Sequence, residues 1–202
     1  MGNQEISSRK AKAGAPQTIE VRKQIIAATA DLLAENPDQK LRFETLAKRV
    51  GCNRATLYRY FDSKTQLLEA VMLALMNEIT TDIIARSAQN RQVNRQSFTH
   101  VLFEVIRDLS TNPRYALVMQ DENIKLFARL TQVHFVDITT QMLERFTMDE
   151  GIGRILKPQV ELKDAVIWLI HQIIAYGFFG IPGNDEKAQK AFLEKMVVSV
   201  II

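Results

Sequence analysis

Residues 41–68 read LRFETLAKRVGCNRATLYRYFDSKTQLL, and the spacing within this stretch decides the fold. Leu46, Ala47 and Val50 recur at the three- and four-residue steps of one helix face, with Phe43 also turned inward, so a short helix is expected over about 42–50. Gly51 ends it by supplying the positive φ of a tight exit. Asn53 then caps a further helix, Arg54 to Phe61, on which Leu57 and Phe61 lie one turn apart on one side. Two short helices joined at Gly51-Cys52-Asn53 make a helix-turn-helix. Asp62-Ser63 breaks the second of them. Ser63-Lys64-Thr65-Gln66 has capping-box spacing, which predicts that Ser63 and Gln66 satisfy each other's backbone donors. A long helix over about 64–87 follows, carrying Leu67, Leu68, Val71, Leu75, Ile79 and Ile83.

The side of the 54–61 helix opposite Leu57 and Phe61 carries Arg54, Ala55, Thr56, Tyr58, Arg59 and Tyr60. Arginine can hold a guanine edge through two hydrogen bonds, tyrosine and threonine can donate to phosphates, and alanine can touch a thymine methyl. Lys64, at the start of the next helix, is placed to meet the phosphate backbone beside the groove. The same face also suits docking on an acidic protein, so residue chemistry alone leaves DNA and a protein partner both open.

Leu46-Ala47 with Val50-Gly51, then Thr56-Leu57-Tyr58-Arg59-Tyr60-Phe61, Ser63-Lys64 and Leu67-Leu68, resemble the N-terminal signature of TetR-family transcriptional regulators over about residues 19–70. The resemblance implies an all-helical homodimer with three DNA-binding helices, a fourth linking helix, and a larger C-terminal domain that binds a small ligand and dimerises. By position it makes Arg54, Ala55 and Thr56 the base-facing start of the recognition helix, and Tyr58, Tyr60 and Lys64 phosphate contacts. The chain departs from the pattern at Leu41-Arg42, where a Thr or Ser cap is usual, and at Cys52-Asn53, where Val-Ser is usual. Asn53 caps as well as serine does. Arg42 can replace a hydroxyl–phosphate contact with a charged one.

Charge agrees with a polyanion partner. The 202 residues hold 26 Lys/Arg and 23 Asp/Glu, yet residues 1–64 hold 12 against 7, and 40–64 hold 7 against 2. An apolar content of 47% suffices for a core, and only 8 Gly and 5 Pro argue against a loop-rich or all-β chain. The single cysteine, Cys52, precludes an intramolecular disulfide and suits a reducing compartment. The opening MGNQEISSRKAKAGAP has no apolar stretch, and no run of about 18 uncharged apolar residues occurs, so a cytoplasmic protein without a membrane span is expected.

The remaining pattern is helical throughout, giving an all-α fold. Residues 1–17 read as a disordered basic arm. A helix capped by Thr18 and lined by Val21, Ile25, Ala28 and Leu32 runs to Asn36-Pro37. Further helices are expected at about 96–110, 113–119, 122–146, 162–180 and 185–202, the last capped by Asn184, with a loop from Gly151 to Pro158. This divides the chain into the arm, a DNA-binding domain at 18–64 and a ligand-binding and dimerisation domain at 65–202.

In that last domain Phe103, Phe127, His134, Trp168 and His171 are candidates for lining a pocket for a small apolar ligand, although such residues equally serve as core or dimer contacts. His100, His134 and His171 fall on different helices with no partner at i,i+4, so no metal or other cofactor is expected. Asp121-Glu122 and Asp149-Glu150 are adjacent pairs, which on a helix do not converge as an acid/base dyad, and an enzyme is not expected. The run Ala165–Ile170 with Ile173-Ile174 is apolar on more than one face, and Phe192, Met196, Val197, Val200 and Ile201 add a stripe. A homodimer through 162–180 and 185–202 would cover both. Three functions remain: a ligand-released repressor on a palindromic operator, an inducer-independent DNA-binding accessory protein, and a helical partner-binding module.

Overall fold

The computed structural model describes residues 5–36, 40–89, 94–130, 136–137, 139–140 and 156–202, and every regular element among them is helical. The chain divides into two compact units, Met1–Val71 and Met72–Ile202, the boundary falling inside a single helix.

The first unit contains α1 (Glu5–Glu35), α2 (Phe43–Val50), α3 (Arg54–Tyr60) and the start of α4 (Lys64–Gln89). α1 begins well before Thr18, so Thr18 is not its cap, and residues 5–17, expected as a disordered arm, continue the helix. The alanine, lysine and arginine of Arg9–Ala13 are good helix formers. They add to a helix already nucleated around buried Ile25, which outweighs Gly14 and the hydrogen bond Pro16 cannot donate. α1 closes as Asn36 donates from Nδ2 to the Leu32 carbonyl at 3.3 Å, just before Pro37.

α2 starts at Arg42 without any side-chain cap, its entry held instead by buried Leu41. It ends on Gly51 at φ 72°, ψ 33°. There the Gly51 N–H donates to the Lys48 carbonyl at 3.3 Å and the Cys52 N–H to the Ala47 carbonyl at 2.9 Å, the paired bonds of a Schellman turn. Ile25, Phe43, Leu46, Leu57, Phe61, Leu67 and Val71 are each no more than 1% exposed, drawing one core from all four helices. Full burial of one such leucine or phenylalanine stabilises by about 1.5–3 kcal/mol. Outside that core, Arg49 on α2 pairs with Glu35 at the end of α1, Nη1 donating to Oε2 at 3.0 Å.

α4 is capped nearly as its spacing predicts. Ser63 Oγ accepts from the Gln66 N–H at 3.1 Å, but Gln66 Oε1 accepts from the N–H of Asp62, at 2.6 Å, rather than from Ser63. The glutamine side chain is long enough to reach one residue past the cap.

The second unit continues with α5 (Arg95–Thr111), α6 (Pro113–Ala116) leading into a 3-10 turn (Leu117–Met119), and α7 (Asp121–Leu130). After them come α8 (Leu162–Phe179), α9 (Glu186–Leu193), a π-helical turn (Glu194–Val198) and α10 (Ser199–Ile201). Its core joins Leu102, Phe103 and Ile106 of α5 to Ala165 and Leu169 of α8 and to Leu193, Val197, Val198 and Ile201. A reciprocal Asn94–Ser97 capping box opens α5. The cap of α9 is Asp185, accepting from the Ala188 N–H at 2.8 Å, and not Asn184, because the three-residue spacing to that donor belongs to Asp185. Most of residues 131–146 of the helix expected over about 122–146, and residues 151–155 of the expected loop, lie outside the described residues.

Candidate nucleic-acid interface

All eight residues expected to meet DNA belong to the first unit. Leu57 and Phe61 are buried, which turns the opposite side of α3 outward: Arg54, Ala55, Tyr58 and Arg59 are exposed, and Thr56 and Tyr60 half-buried. Arg42, just before α2, and Lys64, the first residue of α4, are exposed as well. The cap fixes the start of α3. Asn53 Oδ1 accepts from the Thr56 N–H at 2.7 Å and from the Thr56 hydroxyl at 3.0 Å, so that hydroxyl faces the cap.

The Arg54 guanidinium is held from two sides. Nη2 donates to the Tyr58 hydroxyl at 3.1 Å, and Nη1 to Glu44 Oε1 at 2.6 Å. Its carbon lies 5.4 Å from the centre of the Tyr58 ring, which in turn packs on Phe43 with centroids 4.9 Å apart. The Tyr58 hydrogen bond first, and the Glu44 carboxylate second, hold Arg54 above its already high ordinary pKa. Sequence reasoning missed Glu44: it stands ten residues before Arg54 on another helix, and local spacing carries no sign of the pairing. Arg59 lies 5.4 Å from the centre of the Tyr60 ring. The side chains of α3 thus present cations, phenols and a methyl group on a short helix backed by a rigid core. That arrangement can contact phosphates and base edges but holds no acid/base pair or nucleophile with an activating base.

The expected pocket residues separate. Phe103 is a core residue at 4% exposure, flanked by the Lys190 ammonium 4.9 Å from its ring centre. Trp168 packs against the same cluster, with its indole Nε1 buried and without an acceptor among the described residues. His171 is exposed. His134 and the side chain of Phe127 lie outside the described residues. An open groove of about 500 Å³ is lined by other residues: Ala74, Asn77, Glu78, Thr81, Asp82 and Tyr115. Tyr115 donates to Asp82 Oδ2 at 2.5 Å, and burial followed by this bond pushes its pKa up to about 12. No spacing within α4 signals this groove, which forms only where Tyr115 is set beside that helix. Among the described residues no cluster of three or more His, Cys, Asp or Glu could hold a metal.

The C-terminal helices keep apolar side chains outward. Phe179 is 82% exposed, and Phe178, Met196 and Val200 are each about half exposed. α8 is long and apolar enough to cross a membrane by length and composition, although Lys163 and Asp164 lie within it.

Residues 25–71 match the bacterial regulatory proteins of the tetR family. The nucleoid occlusion factor SlmA of Marinomonas sp. (strain MWYL1) is 30% identical over 159 residues, covering 74% of this chain and 77% of that protein. SlmA of Actinobacillus pleuropneumoniae serotype 5b (strain L20) is 30% identical over 114 residues, 52% of this chain. This chain spans only about half, 56%, of that relative. The crystal structure of RolR in complex with resorcinol aligns with a TM-score of 0.67 at 13% identity, over 93% of this chain and 90% of the other, a likeness of fold. Helix-turn-helix geometry, matched residues and relatives agree: the chain belongs to the TetR family of bacterial regulatory proteins, all-helical DNA-binding proteins rather than enzymes.

Proposed function

We propose that the protein is a homodimeric, cytoplasmic transcriptional repressor that leaves a palindromic operator when a small apolar ligand binds its C-terminal unit. The observation that carries the DNA half of this reading is the outward face of α3, with Arg54, Tyr58 and Arg59 exposed over buried Leu57 and Phe61. Each protomer would insert α3 into a major groove, with half-sites about one helical turn or a multiple apart. Arg54, Ala55 and Thr56 would face bases; Arg42, Tyr58, Arg59, Tyr60 and Lys64 would meet phosphates or the groove edge.

The dimer rests on the exposed apolar side chains of 162–180 and 185–202. In a lone chain, only 22% of α8 is buried, while Val197 and Ile201 face inward and Met196 and Val200 outward. A second copy would cover that outer face in a four-helix arrangement. For the ligand, RolR with its resorcinol offers a precedent in the same fold. Release needs only that the ligand favour a state unable to hold both half-sites.

A second reading is a DNA-binding accessory protein without an inducer. It is favoured by relatives named nucleoid occlusion factors. Selection of bound sites from a random duplex library, repeated across salt concentrations, separates the alternatives. An enriched palindrome supports the regulator and supplies the probe for screening ligands by DNA release. Binding without enrichment favours the accessory role. Absence of binding at low salt overturns the recognition-helix argument and leaves the partner-binding module.

A further inference from the structure

One carboxylate stands on the basic face that the DNA reading needs. Glu44, on the first turn of α2, is exposed and pairs with Arg54, the first residue of α3. The pair is not a buried strut. Its side chains are 59% and 56% exposed, and exposed pairs add little to folding. Beside DNA a carboxylate repels phosphates, so Glu44 weakens binding to every sequence unless a hydrogen-bond donor meets it there. Its Oε1 is taken by Arg54; Oε2 accepts no hydrogen bond among the described residues.

We propose that Glu44 is a specificity-determining residue: the Arg54–Glu44 pair enters the major groove as one unit, Arg54 on a guanine edge and the second carboxylate oxygen accepting from the N4 amino group of a cytosine. The inference rests on the DNA-binding reading of α3 above. An ionised carboxylate only accepts, so it rejects the O6 and N7 of guanine and the O4 of thymine. On its own major-groove edge cytosine offers an amino donor and no acceptor, whereas the amino group of adenine neighbours N7 of the same base. The guanidinium partner lowers the cost of bringing the carboxylate out of water, and Tyr58, packed on Phe43, backs the pair.

The test is site selection from a random duplex library with the wild-type protein, Glu44→Ala and Arg54→Ala, each variant checked for an unchanged helical melting curve. The wild type should select a cytosine in each half-site. Glu44→Ala should reduce that preference about tenfold at that position alone while tightening binding to random duplex. Arg54→Ala should relax a different, neighbouring position. Glu44→Gln, which keeps the shape and adds a donor, should move the preference from cytosine toward adenine, and it stands in for the alanine variant if that one melts early. An enriched site whose every position survives loss of the carboxylate overturns this inference and leaves the DNA reading intact. So does a Glu44 effect confined to the Arg54 position, which would make Glu44 a tether. No enriched site for the wild type overturns the regulator reading and this inference together.

Discussion

Asn53 caps α3 by accepting two hydrogen bonds from one residue, Thr56, through its backbone N–H at 2.7 Å and its hydroxyl at 3.0 Å. The start of α3 and the aim of one of its polar side chains therefore depend on the same oxygen. Asn53→Ala should destabilise the protein by about 1 kcal/mol, the usual loss of a cap, while Asn53→Ser should restore most of it. Urea denaturation of the three proteins checks this, and equal midpoints would mean the cap contributes nothing.

Arg54 and Lys64 should fail differently. Arg54→Ala should cost about 1–3 kcal/mol at a single base pair and relax preference there. Lys64→Ala should weaken all duplexes alike and lower the slope of log K against log salt by roughly one unit. Binding isotherms on a panel of site variants across salt concentrations distinguish the two, and matching profiles would overturn the assignments.

The outer face of the C-terminal helices should hold two copies together. Light scattering at micromolar concentration should give twice the 23.0 kDa chain mass. Phe179→Glu combined with Met196→Glu should return the monomer mass with unchanged helicity, since both side chains are exposed and stand outside the core. A wild-type monomer would remove the dimer from the proposal.

Tyr115 should titrate late. With its pKa raised to about 12 by burial and the Asp82 hydrogen bond, the folded chain keeps this proton where the unfolded chain, at the ordinary value of 10.0, has lost it. Its stabilising contribution is therefore complete below about pH 10 and declines as pH rises toward 12. Absorbance titration of phenolate should lose its component near pH 12 in Tyr115→Phe. An identical high-pH curve in the variant would show that Tyr115 is not held this way.

Local rules made much of the first unit legible. Leu57 and Phe61 one turn apart, Gly51 after an apolar run and Asn53 before Arg54 each imply one conformation, and the structure has all three. The misreadings are of reach and competition. Gln66 extends one residue past the expected donor, Asp185 takes the cap expected of Asn184, and α1 runs back to Glu5 through Gly14 and Pro16. What could not be read were contacts between helices. The Glu44–Arg54 pair and the groove shared by α4 and Tyr115 depend on how helices are set side by side, which periodicity within one helix does not encode.

The Schellman turn at Gly51 restricts sequence through handedness alone. A side chain built there meets nothing within 4 Å, so there is room for any residue, and the obstacle is the left-handed backbone at φ +72°. Gly183 differs, since a Cβ there would stand 2.8 Å from the Gln189 nitrogen. A saturation scan should therefore rank replacements at 51 by tolerance of left-handed geometry, asparagine ahead of alanine and alanine ahead of valine, whatever their volume. At 183, where φ is +138° and space is short as well, even the smallest side chain should be rejected. The two glycines would look alike in any tally of composition, yet one answers to chirality alone and the other to chirality and crowding together.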